Sequence, residues 1–194
     1  LVRSDITKVL ALAIDLACIH GTGSNNQPLG LLADLDANLS DNIVAMGENG
    51  AAPTFAKMVE LETMIAAGNA DIGSLCYCTN PQVRGTLKTT EKDVTGNYPV
   101  YIWEPGNTVN GYRTEVSNQV SHTLTKGTSD SVCSAMMFGN WADCLLGLWG
   151  TLDLLVDPYT GATSGTVRVV ALQSVDIVRR RLESFSAIVD LLTA

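Results

Sequence analysis

Three groupings of residues in this sequence have the types that catalysis or metal binding needs. Cys18 and His20, with Asp15 nearby, offer a thiol nucleophile and an imidazole base. Positions 18 and 20 lie about 200° apart around an ideal helix, so these two side chains point away from each other. His20, followed by Gly21, reads instead as a helix-terminal histidine beside a C-cap. Ser121, His122 and Asp130 have the residue types of a hydrolytic triad, but Gly-x-Ser-x-Gly never occurs and no nucleophile elbow is encoded. His122 therefore reads as a loop histidine. Asp34, Asp36 and Asn38 imitate the first half of a calcium loop. Leu39 stands where that loop needs Gly and Ala45 where it needs a bidentate Glu, which excludes calcium.

Two further stretches could meet a ligand. Gly21-Thr-Gly-Ser-Asn-Asn-Gln-Pro-Leu-Gly30 is a loop by composition, but Asn26 occupies the third glycine position of a dinucleotide fingerprint, and Gly-Lys-Ser/Thr is missing at its end. Arg179-Arg180-Arg181 could meet phosphate, yet Asp176 and Glu183 flank it, so the run reads as charges that are solvated or paired on a strand face. The five cysteines, Cys18, Cys76, Cys78, Cys133 and Cys144, are odd in number and lack framework spacing; they read as reduced thiols. Cys76 and Cys78 would share one strand face, and two thiolates alone do not make a zinc site.

The elements that must position these residues follow from periodicity. Ile6, Val9, Leu10, Ala13, Ile14 and Ala17 have helical spacing, and Leu12, Leu16 and Ile19 place apolar groups elsewhere on the same helix, which should pack on more than one side. Gly47, Asn49 and Gly50, between Ser40 and Pro53, mark a crossing between subdomains. Thr54 is expected to cap a helix through Ala67, and Pro81 to open a short helix through Leu87 followed by a polar loop to Asn97. Strands are predicted over Ser74–Thr79, Tyr98–Trp103, Tyr112–Val116 and Met136–Phe138, with Glu104-Pro-Gly-Asn as the turn joining the second to the third. Asn140 is expected to cap a short helix over Trp141–Leu146. Beyond it, Leu152–Val156 and a long run from Val167 to Ile177 read as strands around an Asp157-Pro158-Tyr-Thr-Gly turn. The second places Val167, Val169, Ala171, Val175 and Ile177 on one side and has the apolar Val170 and Leu172 between them, so both of its faces should be covered. Phe185–Leu192 should return to the core as a strand or helical turn.

Composition narrows the function. At 194 residues the chain can bury a large core without disulfide or metal staples. Hydrophobic residues reach 46% and charged residues only 16%, a shortage of charge that extra burial between subunits would explain. A formal net charge of −8 argues against specific nucleic-acid binding, which gains its affinity from neutralised phosphates. Aromatics at 6% argue against a stacking platform. No apolar run approaches a membrane span, and the start has no signal-peptide pattern, so no membrane association and a soluble, intracellular origin are expected.

Two motifs, in this order, resemble the tailed-phage major capsid protein family of the Hong Kong ninety-seven type. One is the helix ending in His20-Gly-Thr-Gly and leading to Pro28-Leu-Gly-Leu-Leu32. The other is Val167-Arg-Val-Val-Ala-Leu-Gln-Ser-Val-Asp-Ile-Val-Arg179 followed by Glu183-Ser-Phe185, preceded by Leu152-Asp-Leu-Leu-Val-Asp-Pro-Tyr-Thr160. The resemblance implies an α+β capsid fold with a spine helix, an axial domain and a peripheral domain, truncated at the N-terminus, where the family's arm, extended loop and early spine helix would stand. Residues 1–50 would be the end of the spine helix and the peripheral-domain loop, 51–150 the axial domain at the capsomer centre, and 151–194 the peripheral-domain strands returning to the core.

The implied function is structural and non-enzymatic, without cofactors: hexamers and pentamers of an icosahedral shell around double-stranded DNA, assembled in the bacterial host cytoplasm and residing in the virion. Scaffold, portal and maturation protease are the further partners the resemblance implies. Arg179, Arg180, Arg181 and Glu183 are the candidate self-assembly residues; Gly21, Gly23, Pro28, Gly30, Asp157 and Pro158 are the candidate structural loop residues. An encapsulin-like compartment shell shares the fold and is the alternative, with a small hydrolase using His122 a more distant one.

Overall fold

The computed structural model describes residues 2–92 and 99–193. The chain opens with helix α1 (Val2–His20), and a short helix α2 (Leu31–Asn38) follows the glycine loop. Helix α3 (Phe55–Ala67) begins after Thr54 as expected, though the Thr54 side chain makes no capping bond. Strand β1 (Leu75–Thr79) leads into α4 (Pro81–Leu87), whose first turn is capped by Asn80 accepting from the Val83 N–H at 2.9 Å, with Pro81 at the position where its missing N–H does no harm.

A small meander comes next: β2 (Trp103–Glu104), β3 (Thr108–Val109) and β4 (Tyr112–Val116). The strand predicted over Tyr98–Trp103 is reduced here to its last residue plus Glu104. Tyr98 lies outside the described residues, and Tyr101 makes only an isolated bridge to Glu91. The Glu104-Pro-Gly-Asn turn therefore joins β2 to β3, and Asn110-Gly111, both with positive φ, turn β3 tightly into β4.

Strand β6 (Ser129–Asn140) organises the main sheet and is far longer than the predicted Met136–Phe138. Hairpin partner β5 (Leu124–Lys126) and β1 lie along one edge of β6, and β9 (Phe185–Leu192) lies antiparallel along the other. β4 pairs in parallel with β1. Among the described residues these strands form a seven-stranded sheet. The stretch expected to cross between subdomains runs beside the outer edge of β9: Val44 N–H donates to Ala187 O at 2.8 Å, and Met46 N–H to the buried Asp190 carboxylate at 3.0 Å.

Ala135, Met136, Met137 and Phe138 are all fully buried, so β6 is the strand covered on both faces. Its even side chains pack with Met58, Leu61 and Ile65 of α3 and with Ile188 and Leu191 of β9. Its odd ones meet Leu31, Leu32 and Leu35 of α2 and Ile19 at the end of α1. Phe138 stacks on Tyr77 with ring centres 4.2 Å apart and meets Tyr112 edge-on at 5.1 Å. Tyr77 and Tyr112 then tie the sheet to α3, donating to Met58 O at 2.8 Å and to Glu62 at 2.9 Å.

The two remaining strands leave this body. Trp141–Leu146 is not the expected helix: a 3-10 turn over Trp141–Asp143, capped by Asn140, passes at Cys144 into β7 (Cys144–Asp157). β7 pairs only with β8 (Arg168–Arg179), as a two-stranded antiparallel ribbon. Pairing of Leu145 and Leu146 with Val178 and Ile177 outweighs the weak local preference of a six-residue window for helix. The expectation that the second strand is covered on both faces does not hold within the chain. Ile177 is its one fully buried apolar residue, because only the root of the ribbon reaches the body.

Replacing Phe138 with Ala should remove the centre of the aromatic cluster and lower unfolding stability by about 3–5 kcal/mol, read as a lower denaturant midpoint with an unchanged m-value.

Candidate assembly surface

The register of the ribbon fixes which side chains share a face. Ile177, Val175, Ala171 and Val169 stand opposite Leu146, Leu148, Leu154 and Val156 and point with them toward α1. Val178, Ser174, Leu172 and Val170 stand opposite Leu145, Trp149, Asp153 and Leu155 and point away. Between Trp149 and Asp153 three residues of β7 face the single Gln173, a bulge that Gly150 allows by taking φ +71°. Gln173 secures it, donating through Nε2 to Trp149 O at 3.0 Å.

Helix α1 covers the near face incompletely. Ile6, Val9, Leu10, Val169 and Ala171 line an open groove between helix and ribbon. Of the residues expected to give the helix a second packing side, Ile19 is buried while Leu12 and Leu16 look out to solvent. The far face is open as well: Leu172 is 60% exposed, Trp149 59%, Leu155 59% and Leu145 50%. A cluster of large exposed apolar side chains of this kind marks an interaction surface. At the tip, Asp157 accepts from the Tyr159 and Thr160 N–H groups at 2.9 and 3.2 Å and from the Thr160 hydroxyl, with Pro158 between. Those bonds hold the exposed Asp157 carboxyl below its ordinary pKa.

The root of the ribbon is where most sequence-predicted residues meet. Arg179 donates from Nε and Nη2 to one oxygen of Asp34 at 2.8 and 2.5 Å, and from Nη1 to Leu29 O at 2.6 Å. Its side chain is 3% exposed and that of Asp34 15%. Asn38 donates through Nδ2 to the other Asp34 oxygen at 2.6 Å, so of the rejected calcium pattern Asp34 is the acceptor of an ion pair and Asn38 holds it in place. The glycine loop holds Leu29 in place. Thr22 bridges Leu29, and Gly30 N–H donates to Gly21 O at 2.8 Å. The strands of this loop approach so closely that a Cβ on Gly21 would lie 2.2 Å from Pro28 O and one on Gly30 2.4 Å from Gly21 N. Gly23 takes φ +68° at the bend.

The other arginines part company. Arg181 donates to Gly68 O and Asn69 O at 2.7 and 3.1 Å, closing the C-terminal end of α3, and lies 3.8 Å from Glu183. Arg180, 76% exposed, reaches Asp143 at 3.4 Å, while its backbone N–H donates to Asp143 O at 2.8 Å. Asp143 also accepts from Ser184 at 2.8 Å and from Asn140 at 3.2 Å. His20 and Cys18 do point apart. His20 Nε2 accepts from the Ser121 N–H at 3.0 Å, whereas Cys18 Sγ lies 3.8 Å from Cys144 Sγ. His122 is exposed, and Asp130 accepts from Thr125 and Ser131. Among the described residues no group of three His, Cys, Asp or Glu could hold a metal, and no helix is long and apolar enough to cross a membrane.

The model of the phage capsid family matches residues 1–190. The chain belongs to that family. It is 33% identical over 186 residues to the major capsid protein of Halomonas phage phiHAP-1, which covers 96% of this chain but only 27% of that relative. The capsid of an empty GTA particle superposes with a TM-score of 0.69 at 15% identity, covering 98% of this chain and 65% of the other. The SrpI encapsulin of Synechococcus elongatus PCC 7942 gives 0.60 at 14%, covering 100% and 65%. The fold is thus the α+β Hong Kong ninety-seven type expected from the motifs. In this capsid-family chain the apolar ribbon, its root and α1 form one continuous surface feature.

Removing Asp34 should strand a buried guanidinium. Asp34→Ala is expected to lower stability by about 3–5 kcal/mol, and the double variant Asp34→Leu/Arg179→Met to recover most of it, in equilibrium denaturation. A second prediction concerns acid. Burial lowers the His20 pKa below its ordinary 6.5, and Nε2 must be unprotonated to accept from Ser121. The folded state thus binds fewer protons than the unfolded chain, so this contribution is intact above pH 6.5 and is lost as pH falls toward and through the lowered value. His20→Gln should flatten that part of the stability-versus-pH curve.

Proposed function

We propose that the chain is the shell-forming part of a major capsid subunit of a tailed phage or prophage, associating with copies of itself into hexamers and pentamers of an icosahedral shell around double-stranded DNA. The observation that carries this is the far face of the β7–β8 ribbon, where Leu145, Trp149, Leu155, Leu172 and Val178 stand exposed among the polar Asp153, Ser174 and Asp176. Family membership supplies the kind of partner that covers it, another subunit. The work is symmetric burial and no catalytic step. His122 and Asp130, the residues a hydrolase would need, are separately engaged or exposed.

In family terms, residues 1–50 supply the end of the spine helix and the peripheral loop, 51–150 the axial domain around the sheet, and 151–194 the peripheral strands and the return through β9. Gly21, Gly23, Pro28 and Gly30 shape the loop that receives Arg179, and Asp157 and Pro158 shape the ribbon tip. Of the charged candidates for neighbour contact, Arg180 and Glu183 have the freedom to reach across a boundary, while Arg179 and Arg181 hold their own chain. Scaffold, portal and maturation protease are the accessory partners of this reading, with assembly in the host cytoplasm and residence in the virion. A net charge of −8 suits a wall that must not grip the phosphates it encloses. An encapsulin-type shell shares the fold; the phage relative and the family model favour the capsid.

Full-length protein carrying Leu145→Lys and Leu172→Lys, two far-face positions at separate points of the ribbon, should keep its circular dichroism and lose no more than about 0.5 kcal/mol of stability, because both side chains already stand half exposed. Capsomers and shells should disappear in electron micrographs. Shells formed at the unaltered yield would overturn the assignment, and a co-purifying cargo enzyme would point to the encapsulin reading.

A further inference from the structure

One pair of reactive groups has no part in the shell argument. Cys18, in the last turn of α1, and Cys144, the first residue of β7, are separated by 126 positions, yet their sulfurs stand 3.8 Å apart. The ribbon register explains the meeting. Cys144 stands opposite Arg179, on the face turned toward α1, so the guanidinium anchored by Asp34 lies beside both thiols. Both are half-buried.

We propose that Cys18 and Cys144 form a redox-active dithiol, closed by a low-molecular-weight disulfide into an intrachain bond that clamps the end of the helix to the root of the ribbon. Cys144 is the attacking sulfur. It faces Arg179 across the ribbon, and the hydrogen bond between the two sulfurs together with that guanidinium lowers Cys144 to about 7 despite its burial. Cys18 is raised, chiefly by that same hydrogen bond, with burial adding to it and Arg179 opposing. In the first step the Cys144 thiolate attacks one sulfur of glutathione disulfide, that S–S bond breaks, and one glutathione leaves as thiolate and takes a proton from water. In the second, Cys18 gives up its proton to solvent and attacks the Cys144 sulfur of the mixed disulfide, releasing the second glutathione. Two thiols have lost two electrons and two protons, and one glutathione disulfide has become two glutathiones.

Bond formation needs the sulfurs to close from 3.8 Å to about 2.05 Å, within reach of rotation about the two Cα–Cβ bonds and a small shift of the helix end. The bond would tie the same junction that Arg179 and Asp34 hold, and its closed loop is long, which favours a large effect on the unfolded chain.

The test is full-length protein incubated with glutathione disulfide at neutral pH, alkylated, digested without reduction and mapped by mass spectrometry. The expected product is a linked peptide pair carrying Cys18 and Cys144, 2 Da lighter than the dithiol by the loss of two hydrogens, with a melting temperature above that of the reduced protein and a return on adding dithiothreitol. Cys18→Ser should accumulate glutathione on Cys144; Cys144→Ser should leave Cys18 largely unmodified. Both thiols fully alkylated after oxidation, a stable glutathione adduct on Cys144 in the unaltered chain, or Cys144 linked to a second subunit would each overturn the proposal.

Discussion

The position of the ribbon depends on one guanidinium. Two strands paired only with each other are marginal in water, so something outside the hairpin must fix its direction. Arg179 does so by reaching three places at once: the Leu29 carbonyl in the glycine loop, the Asp34 carboxylate on α2, and through its own backbone the pairing with Cys144. Desolvating such a pair offsets much of the Coulomb attraction, so its net contribution to stability is small, but its geometry is exacting. A displacement of the ribbon by an ångström or two would leave the guanidinium buried and unpaired. The ion pair therefore acts on direction: it makes one angle between ribbon and body far better than its neighbours, while the hydrophobic sheet supplies the stability. The tight approach of Gly21 and Gly30 belongs to the same device, because the carbonyl that receives Arg179 is carried by that loop.

Local signals made part of this legible in the sequence. The helical spacing from Ile6 to Ala17, the Pro81 start of α4 and the turn chemistry at Asp157-Pro158 each rest on residues close in the chain, and each element lies where those residues put it. The family pattern around Arg179 and the glycine loop located both halves of the ribbon root. What could not be read was their meeting, because Arg179 and Asp34 are 145 positions apart and nothing local about an aspartate in a helix declares its partner. The Trp141–Leu146 segment failed for a related reason. Its apolar residues fit a helical turn as well as a strand, and strand pairing with Val178 and Ile177 decided the matter. The double-faced apolar pattern of Val167–Ile177 demands cover on both sides, and among the described residues that demand is met only near Ile177.

That unmet demand also bounds how the surface can work. Fully burying a leucine-sized side chain contributes about 1.5–3 kcal/mol, and the far-face residues are already about half buried, so covering Leu145, Trp149, Leu155 and Leu172 gains roughly 3–6 kcal/mol. Association itself costs about 4–15 kcal/mol in lost freedom. One such contact between two free subunits is thus close to neutral and readily broken. A closed ring changes the balance, because each added subunit makes contacts on both sides while losing its freedom once. A face that binds weakly in pairs and strongly in closed symmetry lets misplaced subunits leave before the ring shuts, an advantage for an element whose direction is fixed as narrowly as Arg179 fixes this one.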